Sequence, residues 1–271
     1  MRWVNIRPRR RTGWLLGSLP LLLAALVYFV ASAARHAENP SDKLLPTPGA
    51  MVEAMHGLLA QADPLSGKLL FWADTLASLE RLGLALGICS LSALLVGMVL
   101  GVLPAARATF GVFVTTIAVI PPIALLPVLF IVFGLGDTAK VALIVIGVTP
   151  FLIRDLADHI TAIPQEQLIK AQTLGASSWQ LALRVALPQA LPRLIAGIRL
   201  SLGPAWVYLI SAEAIASDVG LGYRIFLVRR YLSMDIIIPY VAWISILAIL
   251  MDVALAQLSK RAFAWAHGAG R

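Results

Sequence analysis

Charged residues are sparse along this chain, and they fall where apolar runs end. Three uncharged runs are long: residues 12–34 between Arg11 and Arg35, 82–106 between Arg81 and Arg107, and 108–136 between Arg107 and Asp137. Each exceeds the roughly 20 residues a helix needs to cross the hydrocarbon core of a bilayer. Three further runs, 141–153, 200–212 and 236–251, are apolar but shorter. They reach spanning length only if their ends carry Arg154, Asp155, Asp158, Glu213 or Asp252. Charges at that depth face a bundle interior or a water-filled cavity. The pattern predicts an all-α integral membrane protein of about six transmembrane helices, with the last three nearest the functional path.

Composition excludes the soluble alternatives. Of the 271 residues 59% are hydrophobic and 13% charged, and the mean hydropathy is +0.86. Such a chain cannot cover a compact core with a polar surface, so a water-soluble enzyme and a disordered chain are both rejected. The net charge is +8, which in a soluble domain would suggest nucleic acid. Here the basic residues flank apolar runs, where they anchor and orient helices; nucleic acid is not expected as a partner. With both termini cytoplasmic, the larger share of Lys and Arg lies inside, as orientation requires. The cluster Arg224, Arg229 and Arg230 opposes that count. The lone Cys89, inside an apolar run, reads as a small buried hydrophobe. Arg2, Arg7, Arg9, Arg10 and Arg11, followed by an apolar stretch and Ala31-Ser32-Ala33, have the layout of a signal peptide. The apolar stretch is long for one, and the chain stays in the membrane in either case.

Between the first two long runs, Leu45-Pro46-Thr47-Pro48 reads as an extended or turn element. Residues 51–61 then form a short amphipathic helix with Met51, Met55, Leu58 and Leu59 on one face, closed by Asp63-Pro64 and Ser66-Gly67. A second connecting segment, about 162–192, is too patterned for a loose loop. Pro164 suits the first turn of a helix, residues 165–174 have helical propensity, and Gly175 interrupts them. Ser177-Ser178-Trp179-Gln180 is a capping box that starts a short helix over about 178–186, which Leu187-Pro188 and Leu191-Pro192 end. Two readings stand: an interfacial helix with Trp179 as headgroup anchor, or a helix presented to a cytoplasmic partner.

The stretch Ile169-Lys170-Ala171-Gln172-Thr173-Leu174-Gly175-Ala176-Ser177, continuing to Leu187-Pro188 and Pro192, resembles the EAA loop of permease subunits in binding-protein-dependent ABC importers. It departs from the motif at Ile169, where a glutamate usually stands, and Lys170 is also unusual. Glu166 can supply a carboxylate on the same helical face. The resemblance runs from about Leu45 to the C-terminus. It includes Thr75-Leu76-Ala77-Ser78-Leu79-Glu80-Arg81, Ile120-Pro121-Pro122-Ile123-Ala124-Leu125-Leu126-Pro127, Phe133-Gly134-Leu135-Gly136-Asp137, Ala212-Glu213-Ala214-Ile215 and Gly220-Leu221-Gly222-Tyr223. These blocks are similar to the branch that imports nitrate, sulfonates and taurine. Tyr231-Leu232-Ser233-Met234-Asp235 and Tyr240-Val241-Ala242-Trp243 are also similar to permeases linked with urea-carboxylase systems, which implies guanidine- or urea-like solutes.

The resemblance implies a type I ABC importer permease fold in a bacterial inner membrane. It divides the chain into an N-terminal arm, first helix and periplasmic segment over 1–75 and a permease core over 76–271. It implies a second permease copy, a periplasmic substrate-binding protein and a cytoplasmic ABC ATPase subunit, which binds the ATP and Mg. No cofactor is expected in this chain, which has no Walker-type glycine–lysine loop; its four histidines are scattered and no catalytic or metal-ligand cluster is evident. The ATPase-coupling loop comprises Glu166, Lys170, Ala171, Gly175, Ala176, Ser177, Trp179, Leu187 and Pro188. Candidates for the translocation path are Pro121 and Pro122, which with Pro127 break the third span, and the carboxylates Glu213 and Asp218. Those carboxylates either pair with Arg224, Arg229 or Arg230 or select the charge of the solute. An ion-driven secondary transporter using Asp155, Asp158 and Glu213, or a non-transporting membrane subunit, are the competing classes.

Overall fold

A computed structural model describes residues 10–39, 42–60 and 67–267. The described residues form α1 (Arg10–Glu38), α2 (Pro48–Ala60), α3 (Leu70–Val102), α4 (Pro104–Val119), α5 (Leu126–Phe133), α6 (Asp137–Thr161), α7 (Gln165–Thr173), α8 (Ser178–Leu181), α9 (Leu187–Ile215), α10 (Leu221–Arg229), α11 (Met234–Ala262) and α12 (Ala264–His267). Asp63, Pro64 and Ser66, expected to close the helix that became α2, lie outside the described residues, as do Arg2, Arg7 and Arg9 of the basic arm.

Among the described residues four helices are long and apolar enough to cross a membrane: α1 from Leu15, α3, the continuous helix from Ser178 through α9, and α11. A fifth span forms if α4 and the segment Pro122–Phe133 count as one. The expected sixth is α6. Its 25 residues reach about 37 Å at 1.5 Å per residue, but Asp137, Lys140, Arg154, Asp155 and Asp158 set it apart from the apolar spans.

Helix α6 sits at the centre, packed along α3 and α9. Small residues let α3 approach it closely. Ala85, Cys89 and Ala93 are fully buried, so Cys89 is the packed small hydrophobe its apolar setting predicts. A Cβ on Gly97 would lie 3.1 Å from Leu156, and one on Gly101 would lie 2.6 Å from Ile160. A second cluster, Leu126, Leu129, Ala139, Leu143 and Ala212, seats α5 against α6 and α9.

Pro121 and Pro122 break the third span as expected, whereas Pro127, Pro188 and Pro192 do not interrupt a helix. After α4 the chain turns by 84° at Ile120-Pro121, makes a tight turn of 3₁₀ helix over Pro122–Leu125, and resumes as α5. Pro127 lies in the first turn of α5, where a missing N–H costs nothing. Pro188, by contrast, does not end the helix that begins at Ser178. The helix widens into a π turn over Ala182–Ala186, and the Leu187 N–H reaches back five residues to the Ala182 carbonyl. That wider turn absorbs the proline ring, which in a regular helix would strike the carbonyl four residues back. Helix α9 then continues through Pro192 to Ile215.

Candidate functional site

The segment after α6 folds as two short helices around a tight glycine turn. Helix α7 ends in a Schellman motif: the Ala176 N–H bonds the Ala171 carbonyl at 3.0 Å and the Gly175 N–H bonds the Gln172 carbonyl at 2.9 Å. This closure requires a left-handed residue, and Gly175 supplies it with φ +84°. Helix α8 opens with the expected capping box. The Gln180 N–H donates to Ser177 Oγ at 3.3 Å, and the Ser177 N–H donates to Gln180 Oε1 at 2.9 Å. Gln189 Nε2 donates to Gln167 Oε1 at 3.1 Å, which ties α7 to the start of α9. Glu166 and Lys170 are exposed, Ala171 and Ala176 half-buried. Leu187 and Pro188 are half-buried in the continuous helix. Leu174 is 88% exposed and Trp179 72% exposed. A rigid element therefore holds two large apolar side chains away from the bundle.

At the opposite end of the bundle a polar network joins five elements. Glu213, near the end of α9, has no exposure. Ser78 Oγ donates to its carboxylate at 2.8 Å, Arg81 Nη1 at 2.7 Å and the Gly222 N–H at 2.9 Å. Arg81 also donates to Asp137 at 2.8 Å and to the Val219 carbonyl at 2.9 Å. Lys140 reaches the same Asp137 oxygen at 3.1 Å. Beside this group, the fully buried Asp74 accepts from Arg224 Nε at 2.7 Å and from the Gly220 N–H at 3.0 Å, with the Tyr240 hydroxyl at 3.3 Å. Burial opposes the charge on Arg224, but the hydrogen bond and charge of Asp74 outweigh it and hold the guanidinium above its ordinary range. Three carboxylates, Asp74, Asp137 and Glu213, thus meet three cations, Arg81, Lys140 and Arg224.

The glycines at 220 and 222 follow from this packing. A Cβ on Gly220, whose φ is +137°, would lie 2.5 Å from the Glu213 carboxylate carbon, and one on Gly222 would lie 2.7 Å from the Ile210 carbonyl. The turn between α9 and α10 is pressed onto the carboxylate it covers.

This arrangement corrects the expected pairing. Glu213 pairs with Arg81 on α3, and Arg224 pairs with Asp74, not with Glu213 or Asp218. Asp218, Arg229 and Arg230 are exposed; Arg229 stacks over Phe226 with 4.8 Å to the ring centroid. Glu213 and Asp218 are therefore not brought together, although they lie only five positions apart. Of the path prolines, Pro121 is exposed and Pro122 half-buried at the break. Pro122 packs where Gly147 leaves room: a Cβ there would lie 2.9 Å from Pro122 and 2.4 Å from Tyr208. Asp155 is held by Arg193 (Nε to Oδ2, 2.9 Å) and Asp158 by Arg107 at 2.5 Å, so both carboxylates are engaged with cations.

The profile of binding-protein-dependent transport system inner membrane components matches residues 93–264. The chain belongs to that family. The taurine transport system permease protein TauC of Escherichia coli K12 is 33% identical to it over 228 residues, 84% of this chain and 82% of TauC. The bicarbonate transport system permease protein CmpB of Synechococcus elongatus is 30% identical over 193 residues, 70% of this chain and 69% of CmpB. The fold is similar to that of a chain of the inward-facing MetNI methionine ABC transporter. The TM-score is 0.63 at 22% identity, over 74% of this chain and all but 1% of that one. The chain is accordingly an inner-membrane permease component of an ABC importer, with the type I permease fold. The profile spans the α7–α8 segment, the broken span and Glu213, but begins beyond Asp74, Ser78 and Arg81. Those three were passed over as site residues. Their signal was present: they recur at intervals of four and three, so they share one face of a helix.

Proposed function

We propose that two copies of this permease form the membrane path of an importer for a small oxyanion or zwitterionic acid, with a cytoplasmic ATPase subunit docked on the α7–α8 element of each. A periplasmic binding protein delivers the solute, and both termini lie in the cytoplasm. The ATP and Mg belong to the ATPase. The observation that carries the reading is the α7–α8 element: its turn and cap are both satisfied internally, yet Leu174 and Trp179 project uncovered. An ordered apolar surface of this kind is a docking surface, and the helix running unbroken from α8 into α9 transmits its movement to the membrane.

The substrate class follows from relatives named for taurine and bicarbonate. A guanidinium-like cation would call for a buried, free carboxylate on the path, whereas Glu213 is engaged by Arg81, Ser78 and Gly222 and Asp218 is exposed outside the buried network. The largely open flank of α1, with 6% of its apolar window buried, is left for lipid and for the second permease copy.

The test is reconstitution with the ATPase and binding protein, reading ligand-stimulated ATP hydrolysis across taurine, alkylsulfonates, bicarbonate, urea and guanidinium. Stimulation by an acid is expected. Gly175→Val, which forces a β-branched residue into a left-handed conformation, should abolish the stimulation while the complex still binds its ligand. Stimulation by guanidinium alone would overturn the substrate assignment, and full stimulation in Gly175→Val would overturn the coupling role.

A further inference from the structure

A cavity of about 980 Å³ opens between α4 and α6. One stripe of α4 forms its wall, from Arg107 through Gly111, Thr115 and Thr116 to Ile120. At 1.5 Å per residue the wall is about 20 Å long. It runs from the α7 end of the bundle to the break at Pro121. Irregular backbone at membrane depth is tolerated where it is buried in protein or lines a water-filled cavity, and this break stands at the inner end of one.

Three charges line the cavity near its α7 end: Arg107, Arg154 and Asp158. Arg107 is fully engaged, donating to Asp158 and to Thr161, both at 2.5 Å, and to the Ala157 carbonyl at 3.3 Å. Arg154 is not: its ion pair with Asp158 is a long 3.9 Å, and its side chain is 57% exposed. Asp158 is neutralised by Arg107, so the charge of Arg154 is in excess. It sits about 10 Å along α6 from the helix end by the helical rise. A guanidinium presents five donors in a fork that matches an oxyanion.

We infer that this cavity is the inward half of the solute path and that Arg154 receives the negative group of the transported acid, a sulfonate, carboxylate or carbonate. The inference rests on the permease reading above. Arg107 and Asp158 position the site, and the pair of cations around one carboxylate leaves room for one negative charge. The phosphodiester of an anionic lipid has the same chemistry and is the competing source.

The experiment is ATP-driven uptake of radiolabelled taurine and bicarbonate into vesicles holding the whole importer, with Arg154→Gln and Arg154→Lys compared against wild type. Loss of one charge-assisted hydrogen-bond donor should lower uptake at subsaturating solute about tenfold in Arg154→Gln, with Arg154→Lys retaining the larger part. Assembly with the ATPase and an unchanged Tm keep that loss separate from misfolding. Uptake in Arg154→Gln equal to wild type would overturn the inference; absence of acid uptake in wild type would instead overturn the proposed function. Vesicles of phosphatidylcholine alone, and of phosphatidylcholine with phosphatidylglycerol, separate the two sources. A defect that appears only with phosphatidylglycerol, with that lipid retained by wild type and lost from Arg154→Gln in native mass spectrometry, assigns the site to lipid and overturns the solute role. The same defect in both lipids supports it.

Discussion

Replacing Arg81 with Met removes one guanidinium from three partners: Glu213 at 2.7 Å, Asp137 at 2.8 Å and the Val219 carbonyl at 2.9 Å. Asp137 is 64% exposed and can turn to water or to Lys140. Glu213 has no exposure and cannot. It keeps Ser78 and Gly222 as donors but loses the opposite charge that offsets its desolvation. Removing one partner of a buried pair costs about 3–5 kcal/mol, which lowers Tm by about 10 °C in a chain of this size. Glu213→Gln removes the charge instead. It leaves Arg81 its bond to Asp137, so it costs about 1–2 kcal/mol. In the double variant no uncompensated charge remains. Its loss should therefore fall short of the sum of the single losses by about 2 kcal/mol. The assay is thermal unfolding of the purified permease in detergent, followed by tryptophan fluorescence for all four proteins. Losses that add to within about 0.5 kcal/mol would refute the claim that Glu213 depends on Arg81 for its burial.

Three shorter predictions test other parts of the fold. Ser177→Ala removes the oxygen that caps α8 and should cost about 1 kcal/mol locally, seen as several-fold faster amide exchange at Gln180 and Leu181; unchanged exchange would mean that the cap is idle. Gly147→Ala places a methyl against Tyr208 and Pro122 and should destabilise by about 1–3 kcal/mol, with Tm recovering when Tyr208 is also shortened to Leu. Asp218→Asn removes an exposed carboxylate outside the buried network and should leave acid uptake at the wild-type rate; a steep fall would return Asp218 to the path as a charge selector.

What was legible in the sequence was local. The apolar runs predicted the spans, and Ile120-Pro121-Pro122 predicted the break. Gly175 and Ser177-Gln180 predicted the turn and cap, because each is settled by residues a few positions apart. The proline rule misled at Pro188 for a reason the local pattern does not contain: a π turn in the preceding five residues moves the clashing carbonyl aside. The ionic partners were illegible because they are remote. Asp74 and Arg224 lie 150 positions apart, and Arg81 and Glu213 lie 132 apart. Nearness in sequence favoured Arg224 as the partner of Glu213, but the close packing of α3 against α9 decided otherwise.

The ion pairs at the two ends of the bundle differ in burial, and the difference has a mechanical consequence. At the Glu213 end, Arg81, Glu213, Asp74 and Arg224 are 12% exposed or less, so separating them would strand charges in a low dielectric. At the α7 end the pairs Arg107–Asp158 and Arg193–Asp155, and nearer the middle Arg199–Asp252, each include a side chain between 37% and 52% exposed. Water can replace a partner there, and each such pair is worth about 1 kcal/mol or less. Sliding of α4, α6, α9 and α11 against one another therefore costs least at the end that carries α7 and α8. The other end is the costlier one to separate, held by the carboxylate that Gly220 and Gly222 press upon. Displacement of the α7–α8 element is therefore expected to open the cavity between α4 and α6 at its α7 end before it disturbs the Glu213 cluster.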